Sequence, residues 1–172
     1  MVVGGGIAGS EAAWQIARRN IRVNLVEMRP HVMTPAHTTS GLAELVCSNS
    51  LGSDSFRNAS GVLKEELRIY GSLIMRCAEA ARLPAGSALA VERDRFSRLV
   101  GSYIKRSSNI CLVREEVIDI PRHRPCIIAG GPLTSSGLAG SVAELTGEDS
   151  LYFYDAVAPI VTLESLDMSR VF

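Results

Sequence analysis

Gly4, Gly6 and Gly9 stand in the spacing Gly-x-Gly-x-x-Gly, and Glu27 follows 18 residues after the last of them. Each position has a physical task in holding a dinucleotide. The first glycine permits a tight turn, the second lets the backbone approach a diphosphate, and the third lets a helix pack closely on a strand. The helix that starts there offers unpaired N–H groups and a positive dipole end to the phosphates. An acidic residue one strand over accepts hydrogen bonds from a ribose. The candidate cradle is therefore Gly4, Gly5, Gly6, Ile7, Ala8 and Gly9. Glu27, Met28 and Arg29 form the sugar side, where Arg29 either reaches ribose or phosphate or stays solvated.

A second group of residues bears on which dinucleotide. Ile128-Ala129-Gly130-Gly131-Pro132 is an apolar strand running into glycines. It resembles the second FAD-contacting strand of the glutathione-reductase-like flavoproteins. Glu115-Glu116-Val117 falls where those proteins touch the adenine through main-chain atoms. Gly130, Gly131 and Val117 thus join the candidate site, and FAD is favoured over NAD.

Cys47 sits in Ala43-Glu44-Leu45-Val46-Cys47-Ser48-Asn49-Ser50, at the edge of a polar segment. Such a thiol is a nucleophile if it is activated, and otherwise a small buried hydrophobe. Cys77, Cys111 and Cys126 lie in apolar helix or strand patterns and read as core. His37 suits acid–base work or a structural hydrogen bond. Trp14 reads as a packing residue, and Arg93, Arg95, Arg98, Lys105 and Arg106 form either an RNA-facing patch or a solvated helix face.

The elements that must position these groups can be read from periodicity. Met1–Val3 is a short strand, and Ala12, Ala13, Ile16 and Ala17 give the next helix its apolar face, closed by Arg18-Arg19-Asn20. Val23–Glu27 is a second strand, parallel to the first because a helix crosses between them. Residues 31–60 show no sustained period, as expected of a functional loop. Leu63, Leu67, Tyr70, Ile74, Cys77 and Ala81 predict one helix running to Pro84, and Phe96, Leu99, Val100, Tyr103 and Ile104 another. Strands are expected at 110–113, 117–120 and 126–129, a helix through Leu138, Val142 and Leu145, and a last strand at 151–154. Alternating strands and helices indicate a layered α/β domain.

Composition narrows the class. With 47% hydrophobic and 21% charged residues the chain reads as globular, and its 18 cationic and 18 acidic side chains give no net charge to attract a polyanion. No apolar run reaches the roughly 20 residues of a membrane span, and no signal peptide opens the chain. Spacings among the four cysteines and three histidines match no metal site. Reduced thiols in a cytoplasmic protein are the expectation.

These segments also follow one another in the order of a known family. They include Gly4–Gln15, Glu27-Met28-Arg29-Pro30, Thr34-Pro35-Ala36-His37, Glu44–Ser50, Lys64–Arg68, Pro84-Ala85-Gly86, Gly131–Ser135 and Tyr152–Ala156. The sequence resembles the folate- and FAD-dependent tRNA uracil-5 methyltransferases, once described as relatives of the glucose-inhibited division proteins. The resemblance implies a Rossmann-like FAD-binding domain of the glutathione-reductase type, of which residues 1–172 are an incomplete N-terminal part. It implies FAD as cofactor, with 5,10-methylenetetrahydrofolate and NAD(P)H as co-substrates and a T-loop uridine of tRNA as acceptor. It also implies a catalytic Cys47 near the flavin. A ribosomal-RNA methyltransferase, a wobble-uridine modifying flavoprotein and an inactive FAD-binding fragment are the rival expectations, and no protein partner is deducible. Two positions depart from the family pattern. Gly52 replaces a common arginine, and Gly130 replaces a usual threonine.

Overall fold

A computed structural model describes residues 1–122 and 125–148, together with Asp167 and Ser169. The strand expected at 151–154 and the Tyr152–Ala156 motif lie outside the described residues. In chain order the elements are β1 (Val2–Val3), α1 (Ile7–Ala17), β2 (Val23–Glu27), β3 (Ser50–Ser53), α2 (Ala59–Ile69) and α3 (Leu73–Ala80). They continue with β4 (Arg82–Leu83), β5 (Ala88–Val91), α4 (Arg93–Arg106), β6 (Ile110–Arg114), β7 (Ile127–Ile128) and α5 (Ser136–Thr146).

The parallel sheet runs β6-β2-β1-β7. Val2 and Val3 face Leu25 and Val26 on one side and Ile127 and Ile128 on the other. Being bonded along both edges, β1 is central and carries only buried valines. Along the β2–β6 pair the register ends with Glu27 opposite Arg114. Helix α1 lies on this sheet through Gly9, Ser10, Ala13 and Ala17, all buried. Small residues there let the helix axis come close to the strands. Asn20 turns the chain at φ 61°, a conformation that Asn tolerates better than most residues.

Helix α4 buries Phe96, Val100 and Ile104, at spacings of four that put them on one face. At about 1.5–3 kcal/mol for each fully buried side chain, that stripe alone accounts for its docking. Trp14 packs edge-on against Tyr103 with ring centroids 5.8 Å apart, so it serves packing.

Several expectations need correcting. The single helix predicted up to Pro84 is two. Gly71 takes φ 67° and Ser72 accepts the Met75 amide at 3.1 Å, so one helix stops and a second begins. In the first half of the expected apolar face Leu63 is exposed at 56% and Tyr70 at 69%, while Leu67 stays half-buried against the core. The irregular reading of residues 31–60 missed β3, and no strand was expected at β4 or β5. Together these make an antiparallel sheet of order β3-β5-β4, which packs on α3 rather than on the parallel sheet.

Residues 117–120 do not form a strand. Ile118 is exposed, and the Ile120 amide donates to Ser141 Oγ at 3.2 Å. That bond, and the close approach of Ile118 to Gly137, where a Cβ would meet Ile118 Cγ2 at 2.8 Å, make the segment a strap across α5. Cys111 is exposed and Cys126 half-buried, whereas Cys77 belongs to the core as expected. A cysteine in a strand pattern is inside only if its alternate position faces the core, and Cys111 occupies the outward position of β6. No described helix is long and apolar enough to cross a membrane.

Candidate functional site

A cleft of about 260 Å³ opens at the carboxyl ends of β1, β2 and β7. That is where open parallel sheets bind ligands. Gly4, Gly5, Gly6, Ile7, Ala8, Glu27, Met28, Arg29, Val117, Gly130 and Gly131 all line it. Gly9 does not, because its task is packing. A Cβ there would collide with the Gly4 carbonyl oxygen. Gly4 itself takes φ 100°, and a Cβ would fall 2.5 Å from the Ala129 oxygen. The first turn can therefore press against the end of β7 only because residue 4 has no side chain.

Gly6 is different. Nothing lies within 4 Å of a Cβ built there, so the space over Gly6 belongs to the cleft. Immediately beyond it α1 starts with no side-chain cap, and the first bond of its ladder is the Ser10 amide to the Gly6 carbonyl at 3.0 Å. The amides of Ile7 and Ala8 are left to an outside acceptor. The second uncapped helix is α5, and its Thr134–Ser135 entry lines the same cleft. By contrast Asn58, Ser72 and Glu92 cap α2, α3 and α4. Among the described α-helices, the two starts without a side-chain cap converge on one place, an arrangement suited to an anionic group.

Glu27 is 5% exposed. Its Oε2 accepts the Gly5 amide at 2.7 Å, and its Oε1 accepts the Arg29 amide at 3.0 Å and Arg29 Nε at 2.8 Å. Burial alone would raise the carboxyl, but these bonds outweigh it and hold Glu27 below its ordinary value. A carboxylate has about four acceptor positions, so three protein donors leave room for a ribose hydroxyl.

Arg29 is fully buried at the cleft and is not a solvated surface arginine. Its Nη1 donates to Glu44 Oε2 at 2.8 Å and to the Thr39 carbonyl at 3.2 Å. Glu44 is the functional candidate that sequence reasoning missed. It was visible only as part of the run to Ser50, and its partners lie 15 residues away at Arg29 and across a loop of no period.

Cys47 is half-buried and does not line the cleft, although its neighbour Val46 does. His37 lines the cleft, with Nδ1 2.6 Å from Thr34 Oγ1. Burial first, and then the Arg29 charge, push His37 below its ordinary value despite the opposing carboxylates Glu44 and Glu27. The basic residues Arg93, Arg98, Lys105 and Arg106 line a separate groove behind the Thr38–Leu45 loop, and Arg95 does not.

Both departures from the resembled pattern have a local account. A Cβ on Gly130 would sit on Thr134 Oγ1, so the hydroxyl missing at 130 is replaced in the same space by Thr134. Gly52 takes φ 81° in an irregular stretch of the β3–β5 pairing. Among the described residues no cluster of His, Cys, Asp and Glu is arranged to hold a metal ion.

Comparison with known proteins agrees with this geometry. The family model for glucose inhibited division protein A matches residues 1–172. The chain is 58% identical over 172 residues to the methylenetetrahydrofolate--tRNA-(uracil-5-)-methyltransferase TrmFO of Moorella thermoacetica, covering all of this chain and 39% of that protein. It is 56% identical to the enzymes of that name from Fusobacterium nucleatum and Bacillus subtilis, covering 40% and 39% of them. The chain thus spans about two fifths of the length of the curated relatives it matches. Among solved structures, Aquifex aeolicus GidA aligns with 70% of this chain and 20% of its own at 19% identity and a TM-score of 0.54. That likeness speaks to the Rossmann-like fold.

Proposed function

The chain belongs to the glucose inhibited division protein A family, and from that premise we propose that it is the FAD-binding front of a tRNA uracil-5 methyltransferase. The observation that carries the reading is the convergence of two uncapped helix starts, an open Gly6 and a buried Glu27 on one cleft. Its support in sequence is the 58% identity to a relative named for this activity.

In this reading the amides of Ile7 and Ala8, with the start of α5, hold the diphosphate, and Glu27 binds the adenosine ribose. Main-chain atoms near Val117 and the Gly130-Gly131 turn border the adenine and the rest of the cofactor. Bound FAD would carry two electrons from a reduced nicotinamide nucleotide and the one-carbon unit from 5,10-methylenetetrahydrofolate. The uridine C5 loses its proton and gains a methyl group, and tetrahydrofolate leaves. Cys47, next to the cleft-lining Val46, would be the thiol of the reaction, serving a bound flavin or activating the uracil ring as a nucleophile. The setting would be the cytoplasm, where tRNA, folate and reduced thiols coexist.

The test uses the protein expressed from its complete gene. Purified protein should be yellow, and with tRNA, methylenetetrahydrofolate and NADH or NADPH it should form 5-methyluridine in the T-loop. Colourless folded protein, or methylation that ignores the folate donor, overturns the proposal. Methylation of ribosomal RNA in place of tRNA would move the acceptor and leave the cofactor site standing.

A further inference from the structure

Glu44 is bonded more heavily than any cap or turn requires. Its Oε1 accepts the Thr38 amide at 2.9 Å, Thr38 Oγ1 at 3.1 Å and the Thr39 amide at 3.3 Å. Its Oε2 accepts the Thr39 amide at 3.2 Å, Thr39 Oγ1 at 2.8 Å and Arg29 Nη1 at 2.8 Å. The carboxylate thus closes the loop on itself and ties it to a buried guanidinium. Arg29 in turn grips Glu27, and Glu27 grips the Gly5 amide.

The chain of bonds reads Gly5, Glu27, Arg29, Glu44. Cys47 lies three residues past the end of it. A second fastening runs beside the first, since the Ala43 amide donates to the Gly5 carbonyl at 2.9 Å and Ser97 Oγ holds the Leu42 carbonyl at 2.7 Å. The segment leading to Cys47 is therefore referenced to the same glycine that borders the cleft.

We infer that Glu44 is a positioning residue, locking the Thr38–Leu45 loop to Arg29 so that Cys47 is held at a fixed place beside the dinucleotide cleft. Glu44 touches no reacting atom itself. It acts because a charged acceptor shared by six donor bonds, one of them from a buried guanidinium, has one low-energy arrangement, and charge-assisted bonds are strong. Substrate placement errors near 1 Å cost enzymes on the order of a hundredfold in rate, so a loop that leads directly into a catalytic thiol benefits from such a lock. The inference rests on the methyl-transfer reading for its kinetic arm and is independent of it for its chemical arm.

The experiment uses the complete protein with its flavin, as wild type, Glu44→Gln and Glu44→Asp. Glutamine keeps the shape but turns one acceptor into a donor facing the Thr38 and Thr39 amides or Arg29. The chemical arm follows alkylation of the Cys47 peptide by iodoacetamide with mass spectrometry. The kinetic arm measures kcat and KM for tRNA.

In Glu44→Gln the alkylation rate should change about fivefold or more and kcat should fall about tenfold or more, with KM for tRNA and flavin content held within about twofold. Glu44→Asp, which keeps the charge, should recover most of both. Alkylation and kcat equal to wild type overturn the inference. So does flavin loss in step with activity, because Glu44 would then serve cofactor retention. If Glu44→Gln does not fold, Thr38→Val removes one of the six bonds and should give the same changes in smaller measure, and no change there overturns the proposal. A wild-type protein that methylates nothing while Glu44→Gln still alters Cys47 alkylation sinks the methyl-transfer reading and spares this one.

Discussion

Glu27 and Gly5 are joined across the site by a bond of 2.7 Å from the Gly5 amide to Glu27 Oε2. The same carboxylate holds Arg29, so the residue proposed for the ribose is itself fixed by the glycine loop proposed for the diphosphate. Removing it should be costly before any ligand is considered. Glu27→Ala leaves Arg29 buried with one carboxylate fewer, and breaking a buried pair by deleting one partner costs about 3–5 kcal/mol. Thermal unfolding should show a large drop, with flavin lost on purification. Glu27→Gln, which keeps the shape, should lose less stability, and a melting temperature equal to that of Glu27→Ala would show that charge alone matters.

Two glycines separate folding from binding. Gly9→Ala puts a methyl on the Gly4 carbonyl oxygen and should destabilise by about 1–3 kcal/mol through overpacking. Gly6→Ala meets nothing within 4 Å, and its backbone is extended. It should fold like wild type and yet bind flavin at least about tenfold more weakly, since its methyl projects where the diphosphate must approach, a loss of ~1.4 kcal/mol. Fluorescence titration of apoprotein with FAD, set beside a denaturation curve, distinguishes the two.

Acid should weaken the protein in two stages. Glu27 and Glu44 have folded pKa values below the ordinary 4.5, so their stabilisation is fully present above 4.5 and disappears as pH falls through the lower folded values. His37 is depressed from 6.5, and by the same sign its share is present above 6.5 and lost as pH falls through its folded value. Urea unfolding from pH 8 to pH 3 should therefore show a shallow loss beginning below 6.5 and a second, steeper one below 4.5. His37→Asn should remove the first stage and leave the second.

The cysteines should sort by position. Burial pushes the Cys77 thiol up to about 12, and full enclosure in the core adds a steric bar. Alkylation of native protein should mark Cys111 and leave Cys77 unmodified. Cys47→Ala should abolish methyl transfer while retaining flavin. Cys111→Ser should cost less than about 0.5 kcal/mol, as exposed substitutions usually do. Turnover by Cys47→Ala at the wild-type rate would remove the thiol from the reaction.

The parallel sheet and the glycine cradle were legible because their signals are local. Val23–Glu27 is an apolar stretch broken only by Asn24 and ending in an acid, and Gly4 to Gly9 have a spacing with one physical purpose. The site's deeper construction was not legible, because it joins residues without periodicity. Nothing in Thr38, Thr39 and Glu44 as a string announces that one carboxylate will collect both threonines and a buried arginine. The small antiparallel sheet escaped for a related reason. Its strands are only two to four residues long, and β3 meets its partner β5 only across α2, α3 and β4. In the expected long helix, Gly71 counted for little against an apolar pattern that spanned it, yet a single left-handed residue was enough to divide it.

Gly52 carries a consequence for how this protein can be altered. Its φ of 81° suits no L side chain, and the nearest neighbours of any Cβ there would be Ser60 Oγ and the Lys64 ammonium at 3.8 Å. An arginine placed at this position would set one cation against another on a backbone bent the wrong way. Introducing a cation at this point therefore calls for rebuilding the turn from Ser50 to Ser53, and not only for a change of side chain.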